Sequence, residues 1–178
     1  MIRTVQTEII TETIKKMCIE ANYSLSSDMV KAMRKAEEKE ESVLGKQILA
    51  QLQDNLEIAA SDMIPICQDT GMAVVFLEVG QDVHFEGGSF EDAVNEGVRR
   101  GYTEGFLRKS VVGDPILREN TKDNTPAVIH TRIVEGDRVK ITVAPKGFGS
   151  ENMSQIRMFK PSAGLQGIKD FILEVVET

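Results

Sequence analysis

Apolar residues recur at helical spacing over roughly the first sixty positions, and after Pro65 a different period takes over. Val5, Ile9, Ile14, Met17 and Ala21 form one stripe at intervals of three to five. Ser26-Ser27-Asp28 offers N-cap chemistry ahead of Met29, Met33 and Ala36. Val43, Leu44, Ile48, Leu49, Leu52 and Leu56 mark a third helix ending near Ser61-Asp62. The run Glu37 to Glu41 reads as the solvated end of a helix. Met72 to Val79, by contrast, is a continuous apolar and β-branched run, which predicts a strand with both faces largely buried. A chain that is helical through about Asp62 and mixed from about residue 63 to 178 is expected to fold as α+β.

The second half supplies further elements. Gly80 to Gly88 reads as a polar loop, and Ser89-Phe90-Glu91-Asp92 as a capping box opening a helix. Val94, Val98, Tyr102 and Phe106 continue that helix at i, i+4, and Gly97 and Gly101 thin one face so that another element can approach closely. Ala127 to Val134 and Arg138 to Ala144, joined by Glu135-Gly136-Asp137, predict a β-hairpin. Gln155 to Phe159 suits a further strand, and a last helix begins after Pro161 with Ser162 as cap. Its pattern of Leu165, Ile168, Phe171, Ile172, Val175 and Val176 is at full strength where the sequence stops at Thr178. That predicts a truncation or domain boundary there, and apolar surface prone to self-association.

Composition narrows the function classes. With 21 basic and 28 acidic residues the net charge is −7, which disfavours binding to nucleic acid phosphates. No apolar run approaches the ~18 residues needed to span a bilayer. Two cysteines far apart make no disulfide framework, and the reading is a cytoplasmic protein with no membrane partner.

Ile66-Cys67-Gln68-Asp69-Thr70-Gly71 is the densest chemistry in the chain, placed directly before the strongest strand. Cys67 can be a small buried apolar group, a nucleophile or a metal ligand. As a nucleophile it lacks a nearby base, because Asp69 would raise a thiol pKa and only His84 and His130 lie elsewhere. As a cluster ligand it would need other thiolates. Cys18, beside the first stripe, reads as core. Lys146-Gly147-Phe148-Gly149-Ser150 follows a strand and can turn backbone N–H groups inward as an anion nest, or be a plain exit turn. Arg108 can fork onto a carboxylate or simply be exposed. Asn120 to Pro126 is dense in turn formers, and a structural turn explains it.

Cys67-Gln68-Asp69-Thr70-Gly71, Leu107-Arg108-Lys109-Ser110, the turn Asn120-Thr121…Asn124…Pro126, Ala144 to Asn152 and Met158-Phe159-Lys160-Pro161-Ser162 occur together and in order. In this they resemble the class I fumarate hydratase and L-tartrate dehydratase family, in its alpha-subunit or N-terminal region. The resemblance implies an oxygen-sensitive 4Fe–4S hydro-lyase that reversibly hydrates fumarate to malate, or an L-tartrate dehydratase subunit. It implies Cys67 as the first of three cluster ligands, the other two being absent from this chain. It further implies Asp69 as part of the catalytic base, Gln68 and Arg108 as holders of substrate carboxylates, and Gly149 as donor of a backbone N–H. The implied partners are a beta subunit or C-terminal domain within a homodimer or hetero-oligomer, and a small dicarboxylate. The isolated chain is expected to be inactive and to carry no cluster alone. A non-catalytic assembly or binding module of the same fold is the competing reading, and a thiol enzyme using Cys67 a third.

Overall fold

The computed structural model describes residues 2–149 and 153–177. Ser150, Glu151 and Asn152 of the glycine-bearing segment, and Thr178, lie outside the described residues. The chain forms two compact units, residues 1–147 and 148–178.

The first unit runs β1 (Arg3–Gln6), α1 (Thr7–Tyr23), α2 (Ser27–Lys39), α3 (Val43–Asp62), β2 (Met72–Gly80), β3 (Val83–Glu86), α4 (Phe90–Glu104), β4 (Val128–Val134) and β5 (Val139–Lys146). The fold is α+β, as expected. Two strands were not anticipated. β1 pairs in parallel with β3, Arg3 opposite Val83 through Gln6 opposite Glu86. The polar loop after Gly80 therefore contains a strand, and α1 starts only at Thr7. That shifts the buried stripe of α1 to Ile10, Thr11, Ile14, Cys18 and Tyr23, while Ile9 is exposed.

β2 is the middle strand of a three-stranded sheet ordered β4-β2-β5, parallel to β4 and antiparallel to β5. The expected β-hairpin is not formed. Its two strands are present and joined by a short turn, but β2 lies between them. Gly80 explains how: a Cβ there would sit 2.3 Å from the Gly136 oxygen, so only glycine lets the end of β2 pass beneath the turn. Gly80 N–H donates to Arg138 O at 2.8 Å, Gln81 N–H to Val134 O at 2.8 Å and Asp82 N–H to Gly136 O at 3.0 Å, so the turn's acceptors are met by β2.

The core sits on one face of this sheet. Ala73, Val75, Leu77 and Val79 of β2 are buried, in one cluster with Ile14 and Cys18 of α1 and Val94, Val98 and Tyr102 of α4. The opposite face is not buried as expected: Phe76 is half-exposed and stacks on His130, ring centroids 5.1 Å apart. Gly97 and Gly101 serve the close approach anticipated from sequence. Cβ atoms at these positions would fall 2.7 Å from Thr11 O and 2.8 Å from Cys18 Cβ, so α1 presses directly onto the α4 backbone. Thr11 Oγ1 donates to Ala93 O at 2.9 Å at one end of this contact, and Tyr23 Oη to Gly105 O at 2.7 Å at the other.

Caps divide the remaining helices. Ser42 Oγ accepts from Gly45 N–H and Ser89 Oγ from Asp92 N–H, fixing the starts of α3 and α4. Ser26 stands at the N-cap position of α2 but makes no side-chain cap bond. α2 buries no residue and α3 only Ala59, which leaves Leu44, Ile48 and Leu52 exposed.

The second unit holds a 3-10 turn (Pro161–Ala163) and α5 (Gly164–Glu177). Residues 155–159 are not a strand. Instead Arg157 pairs bidentately with Glu174 of α5 at 2.6 and 2.7 Å and lies 4.3 Å from the Phe171 ring centroid. No helix is long and apolar enough to cross a membrane among the described residues.

Candidate functional site

Strand directions gather the chemistry at one end of the sheet. Met72, at the start of β2, pairs with Lys146 at the end of β5, and Val128, at the start of the parallel β4, lies on the same side. The loop before β2, the turn before β4 and the exit of β5 therefore meet. The last turn of α4 joins them through Tyr102, whose hydroxyl donates to Thr70 O at 2.8 Å.

The loop is fixed at both ends. Ile66 N–H donates to Asn22 O at 2.9 Å, and Asn55 Nδ2 to Ile66 O at 3.0 Å. At the other end Thr70 is buried and its Oγ1 donates to Arg108 O at 2.9 Å. Gly71 O accepts from Asn124 Nδ2 at 2.9 Å. Gly71 has φ +56, and a Cβ there would lie 1.7 Å from Lys146 O, so this position admits only glycine. Between these anchors Cys67 and Gln68 face outward.

Asn124 was missed in the sequence, where a structural turn sufficed to explain it. It is fully buried with φ 63. Its Oδ1 accepts from Ser110 N–H at 2.8 Å and Val111 N–H at 3.1 Å, while Nδ2 holds Gly71 O. One side chain thus ties the cysteine loop to the arginine segment. Asn120 of the same turn also holds the arginine segment, Nδ2 to Lys109 O at 2.8 Å. The available signal was an asparagine in a turn, since asparagine tolerates the left-handed region and carries both donor and acceptor.

An open pocket of about 350 Å³ results, lined by Pro65, Cys67, Gln68, Thr70, Phe106 and Arg108. Cys67, Gln68 and Arg108 are brought together there. Cys67 is exposed, and its Sγ accepts from Asp69 N–H at 3.4 Å. Arg108 is exposed and pairs with no carboxylate among the described residues. Asp69 does not line this pocket: its Oδ2 is 2.8 Å from where a Cβ on Gly147 would sit, so the carboxylate lies against the Gly147 backbone. Gly149 falls in the second unit and is exposed.

Phe106 departs from the expected helix. α4 ends in a Schellman motif, with Leu107 N–H to Tyr102 O at 3.1 Å and Phe106 N–H to Thr103 O at 3.4 Å. Phe106 occupies the position usually given to glycine, with φ 50, a conformation that costs a residue with a Cβ about 1 kcal/mol. The residue is 86 % exposed instead of continuing the apolar stripe.

Whether these residues fit an iron–sulfur cluster follows from the thiols. Cys18 is sealed in the core, and burial pushes its thiol up to about 12, so it supplies no thiolate. No three His, Cys, Asp or Glu side chains gather into a metal-binding group among the described residues. The described residues therefore offer one cysteine and do not hold a cluster by themselves.

A family model described as fumarate hydratase (Fumerase) matches residues 11–178. The chain is 36 % identical over 173 residues to a protein of Methanocaldococcus jannaschii named "Putative L(+)-tartrate dehydratase subunit alpha", covering 94 % of this chain and 60 % of that protein. It is 35 % identical over 136 residues to the anaerobic class I fumarate hydratase of Escherichia coli strain K12, covering 75 % of this chain and 25 % of that enzyme. It is 25 % identical over 172 residues to the L(+)-tartrate dehydratase subunit alpha of Escherichia coli strain UTI89, covering 95 % and 56 %. The chain spans at most 60 % of the length of each of these relatives.

Proposed function

The chain belongs to the fumarate hydratase (Fumerase) family, and from that premise we propose that it is the part of a hydro-lyase that binds a small dicarboxylate and contributes one thiolate to a 4Fe–4S cluster. The observation that carries this reading is the shared pocket of Cys67, Gln68 and Arg108. Cys67 is the first cluster ligand, and the others come from polypeptide outside this chain. That polypeptide is a beta subunit or C-terminal portion, in keeping with the "subunit alpha" names of two relatives.

The chemistry required explains the residue types. Hydrating fumarate to malate, run in reverse, removes a proton beside a carboxylate that is already negative. The intermediate anion needs cationic and hydrogen-bonding groups fixed in advance. Arg108 forks onto one carboxylate, and the Gln68 amide donates to carboxylate oxygen. Asp69 works with the base. A cluster held by Cys67 together with ligands from outside this chain would supply a Lewis acid for the departing hydroxide. A placed acid or base gives roughly 10²–10⁴-fold, whereas enzymes accelerate by about 10⁶-fold or more. The chain alone is therefore inactive. An L-tartrate dehydratase subunit is the second reading, supported by the name of the relative that covers 94 % of this chain.

Anaerobic reconstitution with iron and sulfide tests the proposal, on this chain alone and with the completing polypeptide, followed by a hydration assay. Activity is expected only from the combination, and Cys67→Ser is expected to lose both cluster and activity. Turnover by the chain alone, or an active Cys67→Ser combination, would overturn it.

A further inference from the structure

We propose that Phe106 is a specificity-determining wall of the pocket, holding the carbon chain of an unsaturated dicarboxylate and disfavouring a dihydroxylated one such as tartrate. This rests on the dicarboxylate reading above and deepens it.

The backbone makes the case first. Phe106 stands at the left-handed position of a Schellman cap, φ 50, where glycine is the ordinary occupant. The chain does carry a glycine at this helix end, but one residue earlier. At Gly105 a Cβ would fall 2.8 Å from both Ile19 Cγ1 and Gly101 O, so that glycine is needed for packing against α1. No such demand explains an aromatic at 106, because the residue is 86 % exposed and lies outside the core cluster. A side chain that strains the backbone and packs on little is accounted for by what binds against it.

The pocket says what that is. Its ionic and hydrogen-bonding groups are Cys67, Gln68 and Arg108, and its apolar ones are Phe106 and Pro65. The remaining liner, Thr70, already donates its hydroxyl to Arg108 O. Anion-binding groups beside an apolar wall suit a short molecule with charged ends and a planar hydrocarbon middle. Malate carries only the hydroxyl that the reaction removes, whereas tartrate would set a second one against Phe106 or Pro65, which offer it no hydrogen-bond partner. The expected preference is for fumarate over L-tartrate.

The test is titration of the isotope-labelled 178-residue chain with fumarate, and separately with L-tartrate, followed by amide NMR shifts and paired with thermal melts. Phe106→Gly is expected to melt above the wild type, because it relieves the cap. It is also expected to bind fumarate about five- to ten-fold more weakly, the worth of ~50 Å² of apolar contact. The fumarate-to-tartrate ratio should fall toward one, and Phe106→Tyr should keep fumarate binding. If Phe106→Gly leaves affinity and ratio unchanged while Arg108→Gln abolishes binding, the inference fails and the dicarboxylate reading stands. If Phe106→Gly melts lower, the ring is structural and the inference fails. If the wild-type chain binds neither acid, both fail together.

Discussion

Asn124 Nδ2 donates to the carbonyl of Gly71 at 2.9 Å across 53 residues of sequence, while its Oδ1 takes the N–H groups of Ser110 and Val111. With the Thr70 Oγ1 bond to Arg108 O, this amide joins the two segments that carry Cys67 and Arg108.

Asn124→Ala is expected to destabilise the chain by about 3 kcal/mol, because it leaves buried backbone groups without partners. Asn124→Asp keeps the acceptor but cannot donate to Gly71, and should fall between. Urea unfolding of the two variants checks the order.

Gly71→Ala places a Cβ 1.7 Å from Lys146 O at φ +56. The expected cost is at least about 3 kcal/mol, or failure to fold. Gly136→Ala is the control: φ is also positive, +97, but nothing lies within 4 Å, so only the backbone term is felt. Comparison of the two melting temperatures separates collision from strain.

Alkaline pH should weaken the fold through Cys18. Burial raises its thiol from 9.0 to about 12. Between those values the unfolded chain has released a proton that the folded chain retains. Stability is therefore intact below pH 9 and falls as pH rises, by up to about 1.4 kcal/mol per pH unit. Burial also lifts the Tyr102 phenol above its usual 10.0, adding in the same direction at higher pH. Urea melts at pH 8, 9 and 10 should show a shallower decline for Cys18→Ala; an equal slope would rule the thiol out.

The two cysteines should differ sharply toward alkylating reagents. Cys67 is exposed and Cys18 is 1 % exposed. One thiol should react in the native chain and two in denaturant, with mass spectrometry locating the first at Cys67.

In the reconstituted enzyme Asp69→Asn should lower kcat by about 10²–10⁴-fold without changing iron content. Arg108→Gln should act chiefly on KM. Full turnover by the Asp69 variant would remove that residue from the chemistry.

Much of the architecture was legible because periodicity is a local property. α4 begins at the serine cap expected of it, Ser89, and its glycines announce the approach of α1. β1 and β3 escaped because four-residue strands carry too little pattern, and Val5 of β1 fits a helical stripe equally well. Phe106 was misplaced for the same reason: it keeps the i, i+4 phase of α4 but lies past its cap. Cys67, Gln68 and Arg108 could be singled out by their chemistry. Asn124 could not, because its importance lies in three partners distant in sequence.

The strand threaded beneath the 135–138 turn has a consequence for any fragment of this chain. Residues 127–146 look like a self-sufficient ribbon, yet their edges were made to zip onto Val74 to Gly80 and not onto each other. Excised as a peptide, they should give the spectrum of a random coil until a peptide spanning 72–82 is added back.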